Sequence, residues 1–329
     1  MLTRRRALAA SAAGFACAGT GLLPRARAQA LKKPVHIIVG FPAGGGTDVI
    51  ARILADRLRG PYASTVLVEN KPGAAARIAV EYVKNAEPDG SVMLFTPDFP
   101  ITVYPHSFRS LNYDSLRDFT PVAPAAKSML TYNVGPAVPE SVRTLAEFVA
   151  WCKANPGKAS YGTTAAGGTP HFVGMMLANA AGVAMTPVHY RGGAPALQDL
   201  IGGHVPASIN PVSESMTQAK AGTIRMLAVT GSRRSAFLPD VPTMAESGYN
   251  VVVESWLGAF VPAKTPAEIV NALSSAIGES VRSPAMVENL AKVGNEPHFQ
   301  TPAEFAATVK ADVARWGPVV KASGFIAED

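Results

Sequence analysis

Twice in this chain an apolar run passes into a Gly-rich turn and then into a helix-patterned stretch, and the two turns stand about 120 residues apart. The first turn is Phe41-Pro-Ala-Gly-Gly-Gly-Thr-Asp48, between Val35-His-Ile-Ile-Val39 and the stretch Val49 to Leu58. The second is Tyr161-Gly-Thr-Thr-Ala-Ala-Gly-Gly-Thr-Pro-His171, which opens the stretch Phe172 to Ala181. Such a turn puts the unpaired N–H groups of a helix start, and the positive end of its dipole, at the edge of a sheet. Each is an anion-ready corner. Two such corners on separate lobes would close on one small carboxylate from both sides.

The same grammar runs through the rest of the chain. Thr65-Val-Leu-Val68, Val92-Met-Leu-Phe95, Ile224-Arg-Met-Leu-Ala-Val229 and Gly258-Ala-Phe-Val261 alternate with helix-patterned segments. That alternation predicts an α/β fold with parallel sheets. Thr144/Glu147, Thr243/Glu246, Thr265/Glu268 and Thr301/Glu304 have capping-box spacing, with Pro266 and Pro302 expected in a first helical turn. A chain of 329 residues is near the upper limit for one core, so two lobes are expected. Pro and Gly cluster at 121–139 and again from Pro239 to Gly248, which suggests two chain crossings. The expected division is 29–126 with 253–329 as lobe I, and 127–252 as lobe II. Open α/β sheets bind ligands beyond the carboxyl ends of their strands, where both Gly-rich turns would fall.

Residues 1–28 read as an export signal. Thr3-Arg-Arg-Arg6 is a charged start, Ala7 to Leu23 is weakly apolar, and Ala26-Arg-Ala28 is a cleavage signal. The paired arginines favour the twin-arginine route, while Ala7 in the place of the usual Phe leaves the general secretory route open. Cys17 lacks the aliphatic residue expected three positions earlier, so lipidation is rejected. Cleavage changes the charge. The full chain has 30 basic and 24 acidic residues, and the first 28 residues hold five Arg and no acid, which leaves 25 against 24. Nucleic acid is therefore not an expected partner. Cys152 alone remains, so no internal disulfide is expected, and its helical setting reads as core. No later apolar run reaches the roughly 18 residues of a membrane span. A soluble periplasmic product is expected.

Catalytic patterns are missing. The first turn is followed by no Gly-Lys-Ser/Thr, and Val49 stands where a dinucleotide fingerprint needs its third glycine. There is no Gly-x-Ser-x-Gly, Ser-x-x-Lys or His-Glu-x-x-His. His36, His106, His171, His189, His204 and His298 lack metal-ligand spacing, so neither a metal nor a cofactor is expected. His171 and His189 read as structural, and Trp256 as a packing anchor. Asp48 has two readings, a ligand contact or a first-turn acid paired with Arg52. Tyr190 also has two, a cleft wall or a core residue with a hydrogen-bonded hydroxyl.

Taken in order, several pieces form a family pattern. They are Phe41-Pro-Ala-Gly-Gly-Gly-Thr-Asp-Val-Ile-Ala-Arg52, Val68-Glu-Asn-Lys-Pro-Gly73, Pro88-Asp-Gly90, Tyr161-Gly-Thr163 and Pro170-His171. Further on come Tyr190-Arg-Gly-Gly-Ala-Pro-Ala-Leu197, Leu200-Ile-Gly-Gly203, Leu227-Ala-Val-Thr-Gly231, Val241-Pro-Thr-Met-Ala-Glu246 and Trp256. In these the chain resembles the periplasmic solute-binding receptors of tripartite tricarboxylate transporters, the TctC-like or Bug-type family. The resemblance implies a two-lobed periplasmic binding protein fold, a type II-like venus flytrap with two chain crossings. It also implies a monomer that captures a small organic acid and delivers it to membrane permease subunits. Matched to the family's loops, the ligand-binding residues would be Ala43, Gly44, Gly45, Gly46, Thr47 and Asp48 from the first turn. From lobe II they would be Thr163, Gly167, Gly168, Thr169, Pro170, His171, Tyr190, Arg191 and Gly192. Asn210 is added as the polar end of a strand facing the cleft.

Two departures bear on the ligand. Where the family continues Pro-Gly-Ala-Gly-Gly-Asn-Ile-Gly, this chain has Pro72-Gly-Ala-Ala-Ala-Arg-Ile-Ala79. Pro206 also replaces a common acid. Arg77 is either a solvated surface residue or a cation that reaches the cleft and pairs with a second acidic group on the ligand. Two other functions compete with uptake. One is a receptor that reports to a membrane sensor; the other is an exported α/β enzyme, disfavoured by the missing nucleophile–base motifs.

Overall fold

The computed structural model describes residues 31–327, so the export signal expected at 1–28 lies outside the described residues. The first lobe opens with β1 (Val35–Val39), α1 (Gly46–Leu58), β2 (Val66–Asn70), α2 (Arg77–Lys84) and β3 (Val92–Pro97). Two four-residue helices follow, α3 (Phe99–Thr102) and α4 (Tyr104–Ser107), and then β4 (Phe119–Ser128). The chain crosses at Met129 into a second sheet. That lobe holds β5 (Leu130–Val134), α5 (Leu145–Ala154), β6 (Ser160–Thr163), α6 (Thr169–Ala181) and β7 (Thr186–His189). It continues with α7 (Gly193–Ile201), β8 (Ala207–Pro211), α8 (Val212–Lys220) and β9 (Arg225–Val229). Residues 230–254 lead back to β10 (Ser255–Pro262) in the first sheet, then α9 (Ala267–Arg282), α10 (Pro284–Lys292), β11 (Glu296–Pro297) and α11 (Pro302–Ser323).

The strand orders are β11-β4-β10-β3-β1-β2 and β7-β6-β8-β5-β9. Leaving aside the two-residue β11, the two sheets share one plan. A parallel set is interrupted by a single antiparallel strand, β10 in one and β5 in the other. All-parallel sheets were the expectation, and here the sheets are mixed. The reason is topological, because β5 and β10 are the strands reached by crossing from the other lobe. No right-handed helical crossover within one sheet delivers them, so nothing forces them parallel. Strand β1, between β3 and the edge strand β2, is buried, with Val35, Ile37, Ile38 and Val39 all in the core, which is why it reads as an apolar run without alternation.

Helices α1 and α6 begin at Gly46 and Thr169, three residues ahead of the apolar periodicity at Val49 and Phe172. The extra residues form first turns that face the other lobe, so a hydrophobic stripe does not announce them. The capping boxes at Thr144/Glu147 and Thr301/Glu304 form as expected. Thr243 and Glu246 exchange the same pair of bonds around a turn with no helix behind it. Thr265 does not cap; its hydroxyl donates to the Pro262 carbonyl at 2.8 Å, and Pro266 in extended conformation becomes the N-cap of α9.

The lobes share an apolar seam. Phe99, Tyr104 and Phe108 of lobe I, with Trp316 and Val320 of α11, join one cluster with Tyr132, Phe148, Tyr161 and Phe172 of lobe II. Phe325 stands edge-on to His171 at 4.4 Å between ring centres and also meets Phe172. Ala75 and Ala76, where the family pattern has glycines, have positive φ values of 54° and 72°, and Ala74 before them has 44°. The loop holds the glycine conformation with side chains that tolerate it poorly.

Candidate functional site

A cavity of about 60 Å³ lies between the lobes, at the carboxyl ends of both sheets. Four helices start on its wall. Gly46 and Thr47 come from α1, Thr169 and Pro170 from α6, Gly193 to Pro195 from α7, and Ser213 and Glu214 from α8. Each helix brings unpaired N–H groups and about half a positive charge to its first turn. Phe41, Pro42, Phe99, Leu130 and Leu257 supply the apolar part of the wall.

The only charged residues among the described lining are two acids, Asp98 and Glu214. Asp98 is one residue past β3 and 1% exposed. It accepts from the Ser255 hydroxyl at 2.6 Å and, across the lobes, from the Thr169 hydroxyl at 3.2 Å. Burial pushes its carboxyl up to about 7, against the Ser255 bond and with the nearby Asp312 adding to the rise. Glu214 is in the first turn of α8. It accepts from the Gly46 N–H of the opposite lobe at 3.1 Å and from the Asn210 amide at 3.2 Å. Burial raises its carboxyl too, more than the Gly46 and Asn210 bonds lower it. Each anion-ready corner is thus engaged by a carboxylate from the other lobe.

The raised Asp98 value carries a sign. Between the ordinary carboxyl range near pH 4 and about pH 7, the folded chain keeps a proton that the unfolded chain has released. This group's contribution to stability therefore falls as pH rises through that window. Asp98→Asn removes the dependence, so the stability of the variant relative to wild type should improve steadily from about pH 4 to about pH 7. Urea denaturation of both proteins at several pH values checks it; a constant difference would contradict the assignment.

Of the residues expected from sequence, Gly45, Gly46, Thr47, Thr169, Pro170 and Gly192 line the cavity. The others stand behind it. Ala43 is exposed. Asp48 is buried, accepting from Gly44 N–H, Arg52 and Asn70 at 2.8–2.9 Å. Burial pushes its carboxyl up, but these bonds outweigh it and hold the group below its ordinary value. Asp48 staples the turn that aims α1, and Gly44 turns it with φ 82°. The Thr163 hydroxyl donates to the Ala165 carbonyl, and Gly167 N–H donates to His171 Nδ1 at 3.2 Å. His171 is a neutral acceptor. Burial, helped by His189, lowers its pKa to about 3. Gly168 caps α6 against the Phe99 ring. The Tyr190 hydroxyl donates to Asp199 at 2.7 Å, Arg191 is exposed, and Asn210 is buried beneath Glu214 and orients it. Arg77 lies away from the cavity. Its guanidinium stacks on Phe108 and donates to the Ala74 carbonyl at 3.1 Å, and it lines a separate surface pocket with Glu81, Asn112 and Tyr113.

Asp98, Ser255 and Glu214 are among the lining groups that sequence reasoning missed, as are the hydroxyl residues Ser128, Thr164 and Ser213. Asp98 had a readable signal, an acid directly after the end of a buried strand, where open sheets bind. Glu214 reads as an ordinary first-turn acid, and nothing local separates it from Glu147 or Glu304.

Two α/β lobes of one plan, joined by two crossings around a cavity, define a two-lobed solute-binding protein. The chain matches the model of the tripartite tricarboxylate transporter family receptor, TctC, over residues 50–325, and it belongs to that family. It is 33% identical to protein BugT of Bordetella pertussis, covering 89% of this chain and 90% of that protein. Among solved structures it is similar to R. palustris Rpa4515 with adipate, at 32% identity and TM-score 0.85, covering 90% of this chain and 98% of that one. It is also similar to MatC from Rhodopseudomonas palustris with bound malate, at 25% identity and TM-score 0.80, covering 87% and 98%. Among the described residues no helix is long and apolar enough to cross a membrane.

Proposed function

We propose that this chain is an exported periplasmic receptor that takes a small carboxylate into the interlobe cavity and hands it to the membrane subunits of a tripartite tricarboxylate-type transporter. One observation carries the reading: four helix starts converge on the cavity, and no Lys, Arg or His is among its described lining residues. An anion there is met by backbone N–H groups and small hydroxyls, without an Arg fork. The neighbours bound to adipate and malate support the carboxylate class. The proposed ligand-facing set is Gly45, Gly46, Thr47, Thr169, Pro170 and Gly192, with Asp98, Glu214 and Ser255 added.

The proposed working units are 29–126 with 253–329, and 127–252, acting as a monomer that binds without turnover. The test is direct. Mass spectrometry identifies what purified protein releases on denaturation, and calorimetry then compares that acid with its amide. Tight binding of the acid and weak binding of the amide are expected. Equal binding of the two would overturn the carboxylate reading.

A further inference from the structure

Residues 324–327 follow α11, which packs on β4 of the first sheet, and they engage the two lobes in different ways. Gly324, with φ 67°, turns the chain out of the helix. The backbone then joins the first lobe. Ala327 N–H donates to the Ser107 carbonyl at 2.7 Å, and Ala327 bridges Phe108 just past α4. The side chain of Phe325 goes to the second lobe. Its half-buried ring lies 4.4 Å from that of His171, 6.0 Å from Phe172 and 6.4 Å from His189, centre to centre. A tail that only ended α11 would need neither attachment. The contact falls where the site is set. His171 Nδ1 accepts from Gly167 N–H and closes the turn ahead of α6, and Thr169 in the next residues lines the cavity and donates to Asp98. The Gly167 carbonyl accepts from the Ser107 hydroxyl at 2.9 Å. Gly167 has φ 67° and no room for a side chain, since a Cβ would stand 2.9 Å from Ser107 Oγ and 3.3 Å from a ring carbon of Phe325. Two groups anchored on the first lobe thus converge on one corner of the second.

From this arrangement we propose that residues 324–327 are an interlobe strap and that Phe325 is a positioning residue for capture. Acting through His171, it holds the first turn of α6, and Thr169 with it, against the first lobe. Phe325 is not among the described lining of the cavity, so its effect on a solute is indirect. Drawing α6 away from the tail would bare the Phe325 ring and the His171 and His189 rings to water, which disfavours the separated arrangement. The link to capture rests on the reading of the interlobe cavity given above; the strap itself rests on the contacts.

Two variants release the strap by different routes. Phe325→Ala removes the ring. Ala327→Pro removes the N–H that the Ser107 carbonyl accepts and leaves the ring in place. Phe325→Leu keeps apolar bulk against His171, and Ile326→Ala changes an exposed neighbour. Small-angle scattering without ligand is expected to give a larger radius of gyration for the two releasing variants, with Phe325→Leu and Ile326→Ala matching wild type. Stopped-flow binding of the acid that mass spectrometry identifies in the native protein is the second readout. In the releasing variants its off-rate should rise about tenfold while the on-rate stays within about threefold. A merely damaged fold would lower the fraction of protein that binds and leave the off-rate of the remainder unchanged. Either variant suffices if the other fails to fold. A radius or an off-rate equal to wild type in a folded releasing variant overturns the strap. So does an effect of the same size in Phe325→Leu or Ile326→Ala. Wild-type protein that binds no acid counts against the carboxylate reading instead, and the strap is then decided by the radius alone.

Discussion

Gly46→Val is expected to weaken ligand binding by about a hundredfold or more, near 2.7 kcal/mol, while leaving each lobe folded. Gly46 is the first helical residue of α1, and its N–H is one of the donors offered across the lobes. A Cβ at this position would stand 2.6 Å from Ser213 Oγ and 3.5 Å from Glu214 Cγ and Oε1, all on the opposite lobe. Valine adds two branches in the same direction. The lobes must then stay further apart, and every contact that spans them lengthens together. Gly45→Ala is the matched comparison. Gly45 has φ −73°, and the nearest atoms to a Cβ there are at 3.4 and 3.6 Å. That variant should bind within about threefold of wild type, since ordinary contact costs little. Calorimetry with the ligand recovered from the native protein decides the matter. Equal losses for the two variants would show that the turn, rather than lobe approach, controls capture.

The largest stability loss is expected at Gly174→Ala, about 3 kcal/mol or more. Gly174 is one turn below the site on α6. A Cβ there would stand 2.2 Å from two ring atoms of Tyr161. Tyr161 cannot give way easily. Its ring is fully buried in the shared core and its hydroxyl donates to the His171 carbonyl at 2.9 Å. Relief requires moving α6 away from β6, which opens the core. At roughly 2–4 °C per kcal/mol the midpoint should fall by about 6–12 °C. Gly182→Ala, at the left-handed end of the same helix with φ 60° and open space around it, should cost only about 1 kcal/mol. Urea denaturation of the two variants distinguishes overpacking from backbone strain; similar losses would contradict the packing argument.

The alternation of strands and helices was legible because burial imposes periodicity. β1 and the apolar faces of α1 and α6 announce themselves that way. The first turns of those helices were not legible as helix, since Gly46 and Thr169 bond to the other lobe and the residues from Gly46 to Asp48 and Thr169 to His171 carry no stripe. The direction of β5 and β10 was hidden for a different reason, because it depends on where the chain returns from. At the site, loops with unusual backbone were readable through their glycines. Residues that act through long-range placement were not. Asp98 meets Ser255 at a sequence separation of 157, and Glu214 meets Gly46 at 168. Arg77 shows the converse. A cation that departs from the family pattern suggested a ligand contact, but the left-handed turn at Ala74–Ala76 leads it to the ring of Phe108.

The shared plan of the two sheets sets an orientation problem for whatever enters. Asp98 follows β3 and reaches the start of α6, while Glu214 follows β8 and reaches the start of α1. In the strand orders these are equivalent positions, with β3 matching β8 and β1 matching β6. In the proposed site a solute therefore meets an acid and a helix start from each lobe, whichever end enters first. For a molecule with identical ends the two poses are one. For a molecule with unlike ends they compete, and the choice falls to groups that differ between the lobes, among them the Ser255 hydroxyl on Asp98, the Asn210 amide beneath Glu214 and the Phe41 and Phe99 rings on one side only. If ligand binds as proposed, specificity in this cavity is written less in the glycine corners that both lobes hold in common than in the differences between the halves.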